Sequence, residues 1–82
     1  MRASYTKKFN KMLRKAPATI QSTFEKQISL LIDHGPSYPS LDVKKYDEMN
    51  NVWQGRVNYK WRFYFTMQGD TYTLLMIISH RK

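Results

Sequence analysis

The spacing of apolar residues changes near the middle of the chain, and this change restricts the fold more than any other feature. Before Gly35 and Pro36, apolar side chains recur every three or four residues, which is the period of an α-helix. After them, many residues alternate between apolar and polar, which is the period of a β-strand. Because the helical segments come first and the strands later, the sequence predicts an α+β domain, with two antiparallel helices packed on one face of a small antiparallel β-sheet.

Two amphipathic helices are predicted in the first half of the chain. The first runs from about Thr6 to Lys15 and has Ser4 or Thr6 as its N-cap. The second begins after Pro17, which suits a first helical turn, and ends at Gly35, a typical C′ residue. The short link between them makes the two helices an antiparallel pair.

The second half of the chain is predicted to form short strands joined by tight turns. The strands cover residues 41–47, 52–57, 61–67 and 71–79. The turns lie at 58–60 and 69–70, and short turns imply antiparallel neighbours. Residues 2–5 are consistent with a brief edge strand. The predicted core joins both halves: Phe9, Leu13, Ile20, Phe24, Ile28, Leu31, Trp61, Phe63, Phe65, Leu74 and Met76.

The two turns set which residues share a face of the sheet. A two-residue turn at 69–70 pairs Phe65 with Leu74 and Phe63 with Met76 toward the helices. A three-residue turn at 58–60 pairs Arg56 with Arg62, and Gln54 with Tyr64, on the other face. Two like charges directly opposed destabilise a sheet unless something negative lies between them. Alternation adds further residues to this face, and the set forms a predicted phosphate site: Arg56, Arg62, Arg81 and Lys44, with Tyr46 or Tyr64 able to stack on a base.

Charge favours the same interpretation without choosing the partner. The 82 residues contain 14 Lys and Arg against six Asp and Glu, a net charge of +8, which attracts nucleic acid, an acidic protein or an anionic membrane surface. The same cations could instead form an ordinary solvated face. Their clustering and the scarcity of carboxylates nearby favour a binding site.

Composition excludes several other classes of protein. A length of 82 residues predicts a single domain. There is no cysteine and there are two histidines, so we expect no disulfide, no metal and no cofactor. No apolar run is long enough to span a bilayer, and the basic N-terminus lacks the apolar stretch of a secretory signal. The expected location is the cytoplasm.

Several short motifs follow one another in an order and spacing that is more specific than any of them alone. They are Phe9-x-x-Met12-Leu13, Pro17-x-x-Ile20-Gln21, Tyr38-Pro39-Ser40-Leu41-x-Val43-Lys44-Lys45, Val52-Trp53, Trp61-Arg62-Phe63-x-Phe65, Gly69-Asp70-Thr71-Tyr72 and Ile78-Ser79-His80-Arg81. In this arrangement the chain resembles the RelE/ParE superfamily of toxins from type II toxin–antitoxin pairs.

The resemblance implies a toxin that a small antitoxin holds inactive, and the net charge of +8 predicts that this antitoxin is short and acidic. RelE-like members cleave mRNA on the ribosome without a metal: the RNA 2′-hydroxyl attacks the adjacent phosphorus while arginines and lysines stabilise the phosphate charge. Carried onto this chain, the resemblance and the predicted register give two sets of residues. The catalytic set is Arg62, Arg81, Arg56 and His80, and the RNA-binding set is Lys44, Lys45, Tyr46 and Tyr64.

The chain departs from the family pattern at its end. Many family nucleases carry a Tyr, His or acidic residue after the last strand, whereas this sequence ends at Arg81-Lys82. His80 is then the only late proton carrier, and it could equally cap the edge of the core. Two other functions therefore stay open: a ParE-like toxin that binds DNA gyrase and cleaves nothing, and a non-catalytic module that binds RNA or an antitoxin.

Overall fold

The computed structural model describes residues 1–79 as two helices packed on a five-stranded sheet. The elements are β1 (Arg2–Tyr5), α1 (Lys7–Lys15), α2 (Ala18–His34), a 3₁₀ turn (Pro39–Leu41), β2 (Lys44–Asp47), β3 (Val52–Arg56), β4 (Trp61–Gln68) and β5 (Thr71–Ser79). The predicted α+β class and the consecutive helices are confirmed.

Strands β2 to β5 pair antiparallel in the order β5-β4-β3-β2. Strand β1 lies next to β5 at the other end of the sheet and runs parallel to it, so the sheet is mixed.

Both helices begin and end where the local chemistry predicts. Thr6 is the N-cap of α1, and its Oγ1 accepts a hydrogen bond from the Phe9 N–H at 3.1 Å. The same hydroxyl donates to the Leu74 carbonyl at 2.9 Å, so the cap also ties the start of α1 to β5. Helix α2 follows Pro17 and ends at Gly35, which has a φ of 86°. Neither helix, nor any other within residues 1–79, has the length and apolarity needed to cross a membrane.

The pairing of β4 with β5 contains a β-bulge. Phe65 lies opposite Leu74, as predicted, but Tyr64 lies opposite Met76, so Leu75 is an extra residue in β5. A bulge of this kind leaves one residue unpaired and shifts every later pair by one position. The predicted partners of β4 are therefore correct on the turn side of the bulge and wrong beyond it.

The bulge also exchanges the faces of the residues that follow it. Phe63 lies opposite Ile77, and Trp61 lies opposite Ser79. Ile77 is 1% exposed and belongs to the core, whereas Met76 is only half-buried. The prediction that Met76 packs beneath the helices is wrong. Side chains alternate between the two faces of a strand, so one extra residue exchanges the faces of all residues counted beyond it.

The rest of the predicted core is confirmed. Its centre is a chain of aromatic rings that joins α1, α2 and β4: Phe9 and Phe24 lie 5.1 Å apart between centroids, and Phe24 and Phe63 lie 5.4 Å apart. Leu13 and Trp61 are partly buried at its margin. The fully or almost fully buried members predicted from sequence are Phe9, Ile20, Phe24, Ile28, Leu31, Phe63, Phe65 and Leu74.

Gly55 in β3 leaves the space that the Phe63 ring occupies. A Cβ at position 55 would lie 2.8 and 2.9 Å from two ring carbons, and closer still to Cζ. The ring cannot move away freely, because Phe63 is fully buried between Phe24 and Phe65. We expect Gly55→Ala to lower the free energy of unfolding by about 1–3 kcal/mol, the usual cost of overpacking a core. Urea denaturation measures this loss.

A double variant separates this steric clash from any other cost of the substitution. Phe63→Leu removes the ring that the new methyl group meets. Gly55→Ala combined with Phe63→Leu should therefore lose less stability than the two single losses added together. A double variant that loses the full sum would contradict the proposed contact.

Candidate functional site

The sheet face that points away from the helices carries two opposed arginines. Arg56 lies directly opposite Arg62, and Gln54 lies directly opposite Tyr64, as the three-residue turn predicted. Strand β2 adds Lys44, which lies opposite Gln54. Side chains alternate across each strand, so these residues share the face that Phe63 and Gly55 do not. We name this surface the arginine face and define it by Lys44, Tyr46, Gln54, Arg56, Arg62 and Tyr64.

Arg62 is held against the turn that joins β3 to β4. Its Nη1 donates to the carbonyl oxygens of Asn58 at 2.6 Å, Tyr59 at 3.1 Å and Trp61 at 3.1 Å. The turn itself is shaped by Asn58 Oδ1, which accepts from the backbone N–H groups of Lys60 and Trp61. One end of the guanidinium is therefore fixed. Within residues 1–79 its Nε and Nη2 groups make no hydrogen bond, which leaves donors for an external anion.

A carboxylate lies beside the other arginine. Asp42 Oδ2 is 3.1 Å from Arg56 Nη2 and 3.7 Å from Lys44 Nζ. The expected scarcity of carboxylates near the arginines is therefore wrong at this position. No strand pattern signals this contact, because Asp42 precedes β2 and has a left-handed backbone, to which the alternation of a strand does not apply.

Two tyrosines lie together on the arginine face but are exposed to very different extents. Tyr64 is only 2% exposed although no helix covers it, and the Tyr46 ring contacts its ring with 4.6 Å between the centroids. Tyr46 itself is 56% exposed. Tyr46 therefore presents a free aromatic surface to a ligand, while Tyr64 supports it from beneath.

Burial also sets the protonation state of Tyr64. It raises the pKa of the Tyr64 hydroxyl above its ordinary value, the neighbouring Tyr46 hydroxyl raises it further, and the positive charge of Arg62 opposes both. A raised tyrosine pKa favours the neutral phenol. Tyr64 is therefore an uncharged hydrogen-bonding group near neutral pH and does not add a negative charge to the arginine face.

The raised pKa predicts how stability changes in alkaline solution. Folding favours neutral Tyr64, so its contribution is fully present below the unfolded pKa of about 10 and is lost as pH rises through the higher folded pKa. Tyr5 and Tyr72 also have raised pKa values and act in the same direction. We expect the urea midpoint of Tyr64→Phe to fall less steeply than that of the parent between pH 9 and 11. Parallel curves would contradict this assignment.

Lys45 is not part of the arginine face. The pairing of β2 with β3 shifts between Lys45 and Asp47, and Lys45 lies opposite Trp53, whose ring packs against the core. The Lys45 Nζ is 4.2 Å from the centroid of that ring and 3.9 Å from Glu48 Oε1. The structure thus brings together Lys44, Tyr46, Tyr64 and the two arginines, and places Lys45 on the opposite side of its strand.

The remaining two residues of the predicted catalytic set, His80 and Arg81, lie outside the described residues. Arg81 was assigned to the arginine face by counting alternation through residue 75, where β5 contains its bulge. Within residues 1–79 there is no group of three or more His, Cys, Asp or Glu side chains that could hold a metal ion.

Comparisons with known proteins identify the fold. No family model and no curated sequence matches the chain. Solved structures do match it: the YoeB dimer from Staphylococcus aureus has a TM-score of 0.80 at 8% identity, covering 99% of this chain and 98% of that chain. The RelB–RelE antitoxin–toxin complex from Methanococcus jannaschii gives 0.76 at 21% identity, covering 93% and 88%. YafQ from E. coli gives 0.77 at 12% identity, covering 94% and 90%. The resemblance to the RelE/ParE superfamily is therefore confirmed for the fold.

Proposed function

We propose that this chain is the toxin of a type II toxin–antitoxin pair and that it is a metal-independent, ribosome-assisted mRNA endoribonuclease of the cytoplasm. The observation that carries the proposal is the direct opposition of Arg56 and Arg62 on the sheet face that points away from the helices, beside Lys44 and the exposed ring of Tyr46. Two opposed arginines repel each other, Asp42 offsets this repulsion at Arg56 only, and a phosphate bound by both arginines would offset it for the pair. The proteins that share this fold include RelE, YoeB and YafQ.

The arginine face suits RNA cleavage that uses the RNA's own nucleophile. In the proposed step the 2′-oxygen forms a bond to the adjacent phosphorus, and the bond from phosphorus to the 5′-oxygen breaks. The 2′-hydroxyl proton leaves to a base, and the departing 5′-oxygen gains a proton. Because the nucleophile is already attached, the protein must chiefly align the phosphate and stabilise its charge, which guanidinium groups do well.

Four residues of the arginine face have a part in this proposal. Arg62, oriented by the turn, donates to the scissile phosphate, and Arg56 and Lys44 bind that phosphate or its neighbours. Tyr46 stacks on a base. Arg81 as a second phosphate ligand and His80 as the proton carrier enter the proposal from the sequence alone.

The partner in this proposal is a short, acidic antitoxin. The chain has a net charge of +8, and complementary charge speeds association and improves specificity. The fold neighbours include complexes of this kind: RelB with RelE, and YoeB with YefM from Staphylococcus aureus. The antitoxin would keep the toxin inactive by covering the arginine face or by moving a residue that the chemistry needs.

Induced expression tests the proposed function. The chain is expressed alone and together with the neighbouring reading frame, and the 5′ ends of cellular transcripts are mapped. We expect growth arrest only when the chain is alone, with new 5′ ends inside translated reading frames. Arrest with double-strand DNA breaks and unchanged transcripts would instead indicate a gyrase-binding toxin. Absence of arrest at matched soluble expression would indicate a non-catalytic module that binds RNA or an antitoxin.

A further inference from the structure

One carboxylate on the arginine face has no part in the proposed chemistry. The same oxygen of Asp42, Oδ2, lies 3.1 Å from Arg56 Nη2 and 3.7 Å from Lys44 Nζ. Two cations that converge on one anionic oxygen are what a phosphate oxygen would meet at this place. Asp42 therefore satisfies the electrostatic requirement of these two side chains while no RNA is bound.

The position of Asp42 is fixed by its surroundings. Leu41, immediately before it, is fully buried, and the backbone at Asp42 is left-handed, with φ 45° and ψ 50°. The buried side chain of Gln27 donates to the carbonyl of Ser40 at 3.2 Å and to that of Arg56 at 2.7 Å. One amide group thus joins the segment that carries Asp42 to the strand that carries Arg56. The carboxylate is held beside its arginine by buried contacts and not by the exposed ion pair itself.

We infer that Asp42 is an internal counterion that occupies an RNA phosphate position between Arg56 and Lys44, so that RNA must displace it to bind. This inference rests on the proposed function, because it requires the arginine face to bind RNA. Asp42 then determines how tightly the face binds: it opposes weak, unspecific contacts with polyanions, and it yields only where further contacts hold the RNA in place.

The chain offers a variant that removes the charge and little else. Asn has nearly the shape of Asp and also tolerates the left-handed conformation, so Asp42→Asn keeps the backbone at this position. A matched control exists at the other end of the sheet. Asp70 lies 3.6 Å from Arg2 in an exposed ion pair at the β1 edge, and strands β5 and β4 separate β1 from the strand that carries Arg56. Asp70→Asn raises the net charge by the same amount away from the arginine face.

The test measures binding of a fluorescein-labelled single-stranded RNA by anisotropy at several salt concentrations. Asp42→Asn should bind about three- to tenfold more tightly than the parent at low salt, because a competing charge is gone. The slope of log K against log salt should steepen by about 0.7, the increment for one additional phosphate on a single strand. Asp70→Asn should shift both quantities much less. In an Arg56→Ala background, Asp42→Asn should lose most of its effect.

The possible outcomes separate this inference from the proposed function. If Arg56→Ala weakens binding but Asp42→Asn does not tighten it, the counterion role is wrong and the RNA site stands. Weaker binding by Asp42→Asn would mean that Asp42 orients Arg56 for RNA, which also overturns the inference. If Asp42→Asn and Asp70→Asn tighten RNA binding equally, the net charge alone explains the effect and the inference is wrong. If Arg56→Ala and Lys44→Ala both bind RNA like the parent, the arginine face is not an RNA site, and both proposals fail.

Discussion

Phe24→Ala is expected to lower the free energy of unfolding by about 3–5 kcal/mol, the usual cost of removing a buried phenyl ring. Phe24 is 1% exposed, and its ring contacts those of Phe9 and Phe63 from α1 and β4. Its loss would therefore leave a cavity where both helices meet the sheet. Small domains have total stabilities at the low end of about 5–15 kcal/mol, so the variant should be partly unfolded at 37 °C. Urea denaturation followed by circular dichroism measures the change.

Phe24→Leu is the matched control for this result. Leucine is apolar and fills most of the volume of the phenyl ring, so this variant should lose clearly less stability than Phe24→Ala. The two variants differ only in how much of the cavity they fill. A loss below about 1 kcal/mol for Phe24→Ala would contradict the aromatic core that joins α1, α2 and β4, since such small values are typical of surface positions.

Arg62→Ala is expected to reduce RNA cleavage by about 10²–10³-fold, which corresponds to roughly 2.7–4 kcal/mol of transition-state stabilisation. The Nη1 group fixes the guanidinium against the turn carbonyls, and within residues 1–79 its other N–H groups make no hydrogen bond, so we expect them to donate to the phosphate. In cells this loss should abolish growth arrest. The comparison is made at matched soluble expression, with transcript 5′ ends as the readout.

Two controls separate chemistry from folding, because the same Nη1 bonds also stabilise the turn. Arg2→Ala removes an equal charge from an exposed ion pair at the β1 edge and should leave toxicity intact. Arg62→Lys keeps the charge but loses the planar fork, so it should fall between Ala and the parent. Binding of the neighbouring antitoxin and the thermal midpoint of each variant report whether it is folded. Full growth arrest by folded Arg62→Ala would show that Arg62 does not take part in the chemistry.

The helices and turns could be predicted because their determinants are local. The cap at Thr6, the helix end at Gly35 and the turn at residues 58–60 each depend on a few neighbouring residues, and all three occur as predicted. The opposition of Arg56 and Arg62 followed from that turn. Patterns of this kind carry over from sequence to structure because little else in the chain competes with them.

The bulge in β5 could not be predicted, because apolar and polar residues do not alternate in the sequence around it. Residues 74–78 are all apolar, so no polar side chain marks which face each one takes. An extra residue at Leu75 leaves this pattern unchanged while it exchanges Met76 for Ile77 in the core. Packing against the helices decides which of these residues face the core, and the local sequence carries no information about that packing.

The charge balance of the site was also beyond local reasoning. Asp42 reaches Arg56 because a buried leucine and a left-handed backbone place it there, and Gln27 joins the two segments from 13 and 29 positions away along the chain. The burial of Tyr64 under Tyr46 likewise depends on how β2 lies against β4 across the intervening strand. Both features are tertiary contacts between side chains that the strand pattern alone leaves unspecified.

Cleavage of a defined mRNA by the purified chain tests whether the protein is a ribosome-assisted endoribonuclease. The mRNA is incubated with the protein, either free or bound to ribosomes with a codon in the open site, and the products are mapped by primer extension. We expect cuts within the exposed codon on the ribosome, far slower cleavage of free RNA, and a loss of about 10²–10³-fold for Arg62→Ala, or about 2.7–4 kcal/mol. Intact mRNA on programmed ribosomes, with folded protein present in excess, would contradict it.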